Sequence, residues 1–237
     1  MPPTPARGLF LALEGVEGSG KTTPARLLAE HLRALGLDVV AAREPGSTPL
    51  GERVRETVLM DVALHVPARS ELFLMLAARA AFVDQVVRPA LERGAVVLAD
   101  RFELSTLAYQ GSGRGLDLDT VRECNRVATD GLAPRVTVLL DLDPEEGARR
   151  QRAEGKDPDR LEREDPGFHL RVARAYRELA GTVAGVVRVD ARGEPGQVHG
   201  RILAALADVL AEIVDVEQLA NVDGPAAGAA REPLEER

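Results

Sequence analysis

Cysteine and lysine are almost missing from this chain of 237 residues. Cys124 is the only cysteine, so the chain cannot form an internal disulfide, and a reducing compartment such as the cytoplasm suits it. Lysine occurs only at Lys21 and Lys156, and arginine supplies the remaining basic side chains. Arginine-rich codon usage explains why lysine is scarce. It does not explain why both lysines stand in the segments with the strongest functional signals, which are described below.

Long apolar runs and a basic excess are absent too. No run of about 18 apolar residues occurs, so the sequence predicts no transmembrane helix. Residues Met1–Arg7 have neither the apolar stretch nor the cleavage pattern of a signal peptide. The formal net charge is −8, which argues against a general nucleic-acid binder, because such proteins present a basic surface to the phosphate backbone.

The two ends of the chain differ in composition from its middle. From Asp215 onward, six acidic side chains stand against two basic ones, a net charge of −4 that is half of the excess of the whole chain. The tail is also rich in Ala, Gly and Pro, a composition that does not support a packed core. We therefore expect a disordered N-terminus at 1–7, a folded domain at 8–214 and a disordered acidic tail at 215–237.

Apolar runs alternate with longer amphipathic stretches along the middle of the chain. This alternation of strands and helices implies a parallel sheet covered on both faces, so we expect a three-layer α/β fold with about five strands. Strands are predicted at Leu9–Leu13, Asp38–Ala42, Ala95–Ala99, Val136–Leu142 and Val186–Val189. Helices are predicted at Lys21–Leu35, Leu50–Met60, Glu71–Arg93 (with Pro89 as a possible kink), Asp117–Asp130, from Pro144, Leu170–Val183 and Gln197–Val214.

A glycine-rich motif connects the first predicted strand to the first predicted helix. Gly15-Val-Glu-Gly-Ser-Gly-Lys-Thr22 matches the phosphate-binding loop (P-loop) pattern G-x-x-x-x-G-K-[ST]. Its backbone N–H groups and the helix N-terminus favour phosphate, Lys21 is expected to reach the β- and γ-phosphates, and the Thr22 hydroxyl is expected to ligate Mg²⁺. The predicted ATP-binding residues are Gly15, Val16, Glu17, Gly18, Ser19, Gly20, Lys21 and Thr22.

The loop does not reveal the phosphoryl acceptor, since water would indicate an NTPase or a switch protein and a phosphate ester a kinase. Four further segments narrow the choice: Arg43-Glu-Pro-Gly-Ser-Thr-Pro-Leu-Gly51, Asp100-Arg-Phe102, Ser105-Thr-Leu-Ala-Tyr-Gln-Gly111 and Asp159-Arg-Leu-Glu162. With Glu14–Thr23 they resemble bacterial thymidylate kinases in order and spacing, from about Leu9 to Leu210. The resemblance implies a P-loop kinase that uses ATP and Mg²⁺ to phosphorylate dTMP, and a homodimer formed through the long helices.

An Asp–Arg pair follows the third predicted strand, at the carboxyl end where ligands bind in open α/β sheets. An aspartate there can help to hold Mg²⁺, and an arginine can grip a phosphate with its fork of donors. By resemblance, Arg101 contacts the dTMP phosphate and Asp100 lies near the metal. The family also implies that Arg43 and Arg55 help to bind this phosphate, with Arg55 the better candidate, although both could be solvated surface charges.

The resemblance also assigns the nucleoside contacts. Glu17 is expected to accept a hydrogen bond from the sugar 3′-hydroxyl. Arg79 is expected to read the base, because an arginine can only donate and therefore favours thymine O4 over the cytosine amino group. Tyr109 could stack near the sugar or be a plain core aromatic. The predicted dTMP-binding residues are Glu17, Arg43, Arg55, Met75, Arg79, Arg101, Ser105, Thr106, Tyr109 and Gln110.

The segment 149–165 is polar and basic and has no apolar periodicity, so we interpret it as a mobile flap. Phosphoryl transfer needs cations that close on the moving group and exclude water. Some thymidylate kinases carry a catalytic arginine in the P-loop, but this P-loop has none, so the flap must supply it. Arg152 and Arg149 are the candidates, with Lys156 behind them. A merely solvated basic run is the alternative.

Three positions depart from the family pattern. Met75 stands where a phenylalanine commonly stacks on thymine, and Phe73 is two residues out of register, which points it to another helix face. Pro24 replaces a common glutamine, and Ser47 replaces a glycine and would be strained at a positive φ. These departures leave open a divergent nucleotide-binding paralogue with weak or no activity, another nucleotide kinase of the same fold, or a P-loop switch.

Overall fold

The computed structural model describes residues 8–155 and 157–213, with the backbone alone described at Glu154. Within this part, a sheet of five strands has the order β2-β3-β1-β4-β5, and every pairing is parallel. The strands are β1 (Leu9–Glu14), β2 (Val39–Arg43), β3 (Val96–Asp100), β4 (Val136–Asp141) and β5 (Val186–Asp190). The predicted parallel sheet is therefore confirmed. The predictions for residues 1–7, Lys156 and 215–237 lie outside the described residues.

Helices cover both faces of this sheet. On the central strand β1, Leu11 and Leu13 belong to one apolar core, whereas Phe10 and Ala12 belong to the other. A strand that is buried on both sides has a continuous apolar sequence, and this pattern allowed β1 and β3 to be predicted from the sequence. The helices are α1 (Thr22–Ala34), α2 (Pro49–Arg55), α3 (Ala68–Phe82), α4 (Arg88–Glu92), α5 (Glu103–Thr106), α6 (Leu118–Thr129), α7 (Pro144–Glu154), α8 (Pro166–Ala180) and α9 (Pro195–Ala211). No helix within the described ranges is long and apolar enough to cross a bilayer.

The long helix predicted at Glu71–Arg93 is present, but it changes pitch along its length. A π-helical stretch, Val83–Val87, joins α3 to α4 just before Pro89. Proline cannot donate the backbone hydrogen bond that a regular helix needs at that position, so a wider turn accommodates it. A second π-helical stretch, Glu56–Met60, continues α2.

A helical segment between β3 and α6 was not predicted. It consists of α5 and a π-helical stretch, Leu107–Gly113. Glycines at 111 and 113 disfavour a helix locally, but packing holds the segment in place: a Cβ on Gly113 would lie 2.7 Å from the Phe168 ring. This segment carries four of the predicted dTMP-binding side chains, so tertiary packing rather than local propensity positions them.

Part of the predicted flap segment is a regular helix, because the helix predicted from Pro144 continues through residues 149–154. α7 begins at Pro144, where the Asp143 side chain accepts from the Glu145 N–H, and it ends at Gly155 with φ 65°. This helix forms because its residues have high helix propensity and because an N-cap and a C-terminal glycine flank them, although it has no apolar stripe. α8 likewise begins at Pro166 after the Asp165 cap, four residues earlier than predicted.

Candidate active site

The P-loop follows β1 and ends where α1 begins. Gly15, Gly18 and Gly20 have φ values of 150°, 70° and 79°, which side-chain-bearing residues rarely adopt. Gly18 is also sterically required, because a Cβ there would lie 2.1 Å from the carbonyl oxygen of Gly147 on α7. The flap helix therefore packs directly on the backbone of the phosphate loop.

Lys21 spans this loop from the start of α1. Its Nζ donates to the carbonyl oxygens of Gly15 at 3.1 Å and Val16 at 3.0 Å. Burial and the nearby charge of Arg101 lower the pKa of Lys21, while Glu17 opposes them. Pro24 costs no helical hydrogen bond, because the first such bond runs from the N–H of the next residue, Ala25, to the Lys21 carbonyl at 2.9 Å.

A cavity of about 1380 Å³ opens over the carboxyl ends of the central strands. It is bounded by the P-loop, α3, the helical segment after β3 and the flap. The predicted site residues that line it are Glu17, Gly18, Gly20, Lys21, Thr22, Arg43, Arg55, Met75, Arg79, Asp100, Arg101, Ser105, Thr106, Tyr109, Gln110 and Arg152. Gly15, Val16 and Ser19 are not among its lining residues, and Arg149 is exposed on α7 without lining the cavity. Of the two predicted flap arginines, the structure therefore brings only Arg152 to the cavity.

Arg101 lines the cavity next to the P-loop. Its φ of 74° is left-handed, and its N–H donates to the Leu13 carbonyl at 2.9 Å, which turns the side chain back over the P-loop. The guanidinium donates to Gly15 O at 3.1 Å and forms an ion pair with Glu17. Burial acts to raise the pKa of Glu17, but the charges of Arg101 and Lys21 outweigh it and lower the pKa to about 2. Tyr109 donates to the same carboxylate at 3.2 Å, so it is not merely a core aromatic.

Glu14 supports this arrangement, and the sequence did not single it out. It is fully buried at the end of β1 and accepts the N–H groups of Phe102 at 2.8 Å and Ser105 at 3.0 Å. The hydroxyls of Ser105 and Tyr176 also donate to it, at 2.6 and 3.0 Å. A buried carboxylate is stable only when its oxygens are satisfied in this way. The sequence feature that could have identified Glu14 is its position as a charged residue at the end of an otherwise apolar strand.

Arg79 is buried on the acceptor side, with most of its donors in use. Its Nε donates to Glu44 at 2.9 Å, Nη1 to Thr106 and Asn125 at 2.7 Å each, and Nη2 to the Phe102 carbonyl at 2.9 Å. One Nη2 hydrogen therefore has no partner among the described residues. Burial raises the pKa of Glu44 to about 7, although the charge of Arg79 acts in the opposite direction. Sequence reasoning missed Glu44 and Asn125, because nothing local marks them as partners of Arg79.

The two candidate phosphate arginines differ in their surroundings. Arg43 is exposed and pairs with Glu52 at 2.9 Å. Arg55 is half-buried and donates only to the Pro45 carbonyl, at 3.3 Å, and it forms no ion pair within the described part of the chain. Burial and the charge of Arg43 lower the pKa of Arg55. Arg55 thus brings to the cavity a positive charge that no described carboxylate pairs with directly.

The departures from the family pattern are also visible. Met75 is half-buried and lines the cavity, whereas Phe73 is 60% exposed on another face of α3, as its register predicts. Ser47 has a φ of 61°, so the predicted strain is present. Its hydroxyl oxygen accepts from the Arg43 N–H at 2.9 Å, which offsets part of the cost.

The two predicted magnesium ligands both line the cavity. Thr22 is the first residue of α1, next to Lys21, and Asp100 ends β3. The Oδ1 atom of Asp100 is buried and has no hydrogen-bond partner among the described residues. Mg²⁺ prefers oxygen ligands and accepts one or two protein groups together with substrate phosphates. A hydroxyl and an unpaired carboxylate oxygen beside a phosphate loop therefore fit this ion.

The fold and the cavity together define a P-loop nucleotide kinase. One side of the cavity has the phosphate loop, and the other has two half-buried arginines, Arg55 and Arg101, suited to a second, phosphorylated substrate. Comparison with known proteins makes the assignment specific, since the sequence profile of thymidylate kinase matches residues 13–202. The chain belongs to the thymidylate kinase family.

Individual relatives agree with this assignment. The thymidylate kinase of Deinococcus radiodurans is 52% identical over 175 residues, which span 74% of this chain and 84% of that protein. The thymidylate kinase of Halothermothrix orenii is 46% identical over 198 residues, or 83% of this chain and 95% of that protein. A crystal structure of thymidylate kinase from Ehrlichia chaffeensis superposes with a TM-score of 0.67 at 30% identity, covering 84% of this chain and 98% of that one. These relatives give no support to a divergent paralogue or another nucleotide kinase.

Proposed function

We propose that the large cavity is the active site in which this family member transfers the γ-phosphoryl group of ATP to dTMP. The activity and the two substrates follow from the family; the residue roles are our assignment. One observation carries it: Lys21 on the donor side and Arg101 on the acceptor side line the same cavity, with Glu17 between them. A donor and an acceptor phosphate held by these two cations would lie next to each other.

On the donor side, the P-loop backbone and Lys21 hold the phosphates of ATP. In phosphoryl transfer of this kind, catalysis consists of positioning and charge neutralisation, so neither a covalent intermediate nor a general base is required. Thr22 and Asp100, together with water, would hold Mg²⁺, and the ion would supply neutralisation of the phosphate charge. Arg152 is the better flap cation, because it lines the cavity and Arg149 does not.

On the acceptor side, Arg101 and Arg55 take the dTMP phosphate, with Arg43 at the rim. Without ligand, Arg101 and Glu17 neutralise each other. An arriving phosphate competes for Arg101, which leaves the Glu17 carboxylate able to accept the sugar 3′-hydroxyl. Two cations stabilise an added dianion more than the lost ion pair costs at a partly exposed site.

The base is read by Arg79, whose one remaining Nη2 hydrogen suits a single acceptor such as thymine O4. The other four donors fix the plane of the guanidinium, so the free hydrogen has a defined direction. Met75 covers the ring with a thioether in place of an aromatic side chain. Ser105, Thr106, Tyr109 and Gln110 complete the pocket.

Three broader assignments belong to the same proposal. Residues 8–214 act as one kinase domain with a flap at about 149–165. Two copies form a homodimer through the long helices, which the exposed Phe73 on α3 supports, and light scattering in solution would measure this. The protein works in the cytoplasm, which suits a chain with a single cysteine.

The test is a coupled ADP-release assay with ATP and Mg²⁺, offering dTMP, dUMP, dCMP, dGMP and AMP in parallel. We expect turnover with dTMP well above the others, and loss of turnover when EDTA removes the divalent cation. A protein that binds ATP but turns over no acceptor, or prefers another monophosphate, would overturn the proposal.

A further inference from the structure

A buried carboxylate on α3 connects three parts of the molecule that are far apart in sequence. Glu71 is fully buried. Its Oε1 accepts from Gln110 at 2.9 Å and from Arg114 Nε at 3.2 Å. Its Oε2 accepts from Arg114 Nη2 at 3.0 Å and from Arg160. Both oxygens are thus fully used, and the function described above gives this residue no role.

Arg160 connects Glu71 to the flap. Its side chain is only 10% exposed, its Nε donates to the Val58 carbonyl at 2.6 Å, and its backbone N–H donates to the Leu59 carbonyl at 2.9 Å. A second link joins the same region, since Arg114 also pairs with Glu164 at 2.6 Å. Charged groups this deeply buried persist only when they are paired, so these contacts hold the segment 160–164 in one place.

The same segment reaches the flap helix that carries the candidate catalytic arginine. Glu162 accepts from the Gln151 side chain on α7 at 2.6 Å and from the Asp159 N–H at 2.8 Å. Gln151 is the neighbour of Arg152. Hydrogen-bonded contacts therefore run from Glu71 through residues 159–162 to the position of Arg152.

In the other direction, Glu71 fixes a side chain of the acceptor pocket. Gln110 lines the cavity, and its amide nitrogen is held by the Glu71 carboxylate, which orients the amide oxygen. Burial acts to raise the pKa of Glu71, but the hydrogen bonds from Arg114, Arg160 and Gln110 outweigh it and lower the pKa, so the carboxylate stays charged.

We propose that Glu71 is a positioning residue that aligns the flap, through Arg160, with the acceptor pocket, through Gln110, so that Arg152 and the bound monophosphate meet in register. This proposal rests on the proposed function of the cavity. It makes Glu71 and Arg160 one unit whose loss lowers the rate of transfer more than the binding of ATP.

The experiment is a double-mutant cycle on kcat with Glu71→Gln, Arg160→Gln and both together. We expect each single variant to lower kcat about tenfold with little change in the KM for ATP, and the double variant to be no slower than the slower single one, because residues acting as a unit are not additive. Arg160→Lys, which keeps the charge but loses the fork of donors, should recover part of the rate. The control Glu178→Gln, in an exposed ion pair with Arg174, should leave kcat unchanged.

A second readout separates alignment from a general structural role. Limited digestion with a glutamate-specific protease should cut the flap several times faster in Glu71→Gln and Arg160→Gln than in the wild type, since neither substitution changes a glutamate of the flap. If Glu71→Gln does not fold, Arg160→Gln decides, since Arg114 still neutralises Glu71 in that variant. Unchanged kcat and unchanged cleavage in Arg160→Gln, or losses that multiply in the double variant, would overturn the proposal. A wild-type protein without dTMP turnover would overturn the proposed function instead. The cleavage rates would still test whether Glu71 and Arg160 hold the flap in place.

Discussion

The phosphate loop holds its shape through its backbone, whereas the acceptor side of the cavity holds its shape through buried side-chain charges. Gly15, Gly18 and Gly20 supply the turns of the loop within a few residues of one another. On the acceptor side, Arg79 meets Glu44 across 35 residues and Arg101 meets Glu17 across 84. The shape of the loop therefore depends on residues close together in sequence, whereas the shape of the acceptor side depends on contacts between residues far apart in sequence.

The phosphate loop and the acceptor side should respond differently to amino-acid substitution. A backbone loop tolerates the loss of a side chain without losing its shape, but it does not tolerate added volume at its close contacts. A network of buried charges behaves in the opposite way, because the removal of one partner leaves the other unpaired. Four substitutions test this contrast, beginning with the one expected to change turnover most.

Lys21→Ala should lower kcat about a thousandfold, because the positive charge aimed at the β- and γ-phosphates is lost. The loop itself should keep its shape, so the melting temperature should stay close to that of the wild type. Steady-state kinetics and thermal unfolding measure the two effects. A variant with near-wild-type kcat would remove Lys21 from the donor site.

Gly147→Ala adds one methyl group where α7 rests on the loop. The new Cβ would lie 2.4 Å from the Glu17 carbonyl oxygen, so α7 and the loop must separate. We expect kcat to fall about 10- to 100-fold, because small misplacements near the reacting groups have large effects on rate. The matched control is Gly200→Ala on α9, where a Cβ meets nothing within 4 Å and turnover should not change. Equal behaviour of the two variants would show that this contact does not matter.

Glu44→Gln should change the pH dependence of stability. Burial raises the pKa of Glu44 from 4.5 to about 7, so between these values the folded state binds more protons than the unfolded state. The free energy of unfolding of the wild type should then fall as pH rises through this window, by about 1–3 kcal/mol from this group, and the variant should lack this part of the slope. Urea unfolding at pH 5 and pH 8 measures the difference. Parallel pH profiles would contradict the assignment.

Met75→Phe should have the smallest effect, and a favourable one. An aromatic ring on thymine contributes about 1 kcal/mol, so the KM for dTMP should fall about fivefold while the KM for ATP stays the same. Kinetics at saturating ATP measure this. An unchanged or higher KM for dTMP would place the base away from Met75.

The same contrast explains how much could be predicted from the sequence. The strand, the glycine loop and the helix of the donor side follow from local patterns, and Lys21 and Thr22 follow with them. The helical segment after β3 was missed because Gly111 and Gly113 argue against it locally, and tertiary contacts such as the packing of Gly113 against Phe168 hold it. The Glu44 and Asn125 partners of Arg79 could not be predicted, because each lies on an element distant in sequence.

Arg101→Ala is the decisive variant, because Arg101 is the residue that we expect to hold the acceptor phosphate beside the donor site. The measurement is the KM for dTMP at saturating ATP and the KM for ATP at saturating dTMP, in the variant and the wild type. We expect the KM for dTMP to rise about a hundredfold or more while the KM for ATP changes only a few-fold. Equal effects on both substrates would contradict the division of the cavity into a donor and an acceptor side.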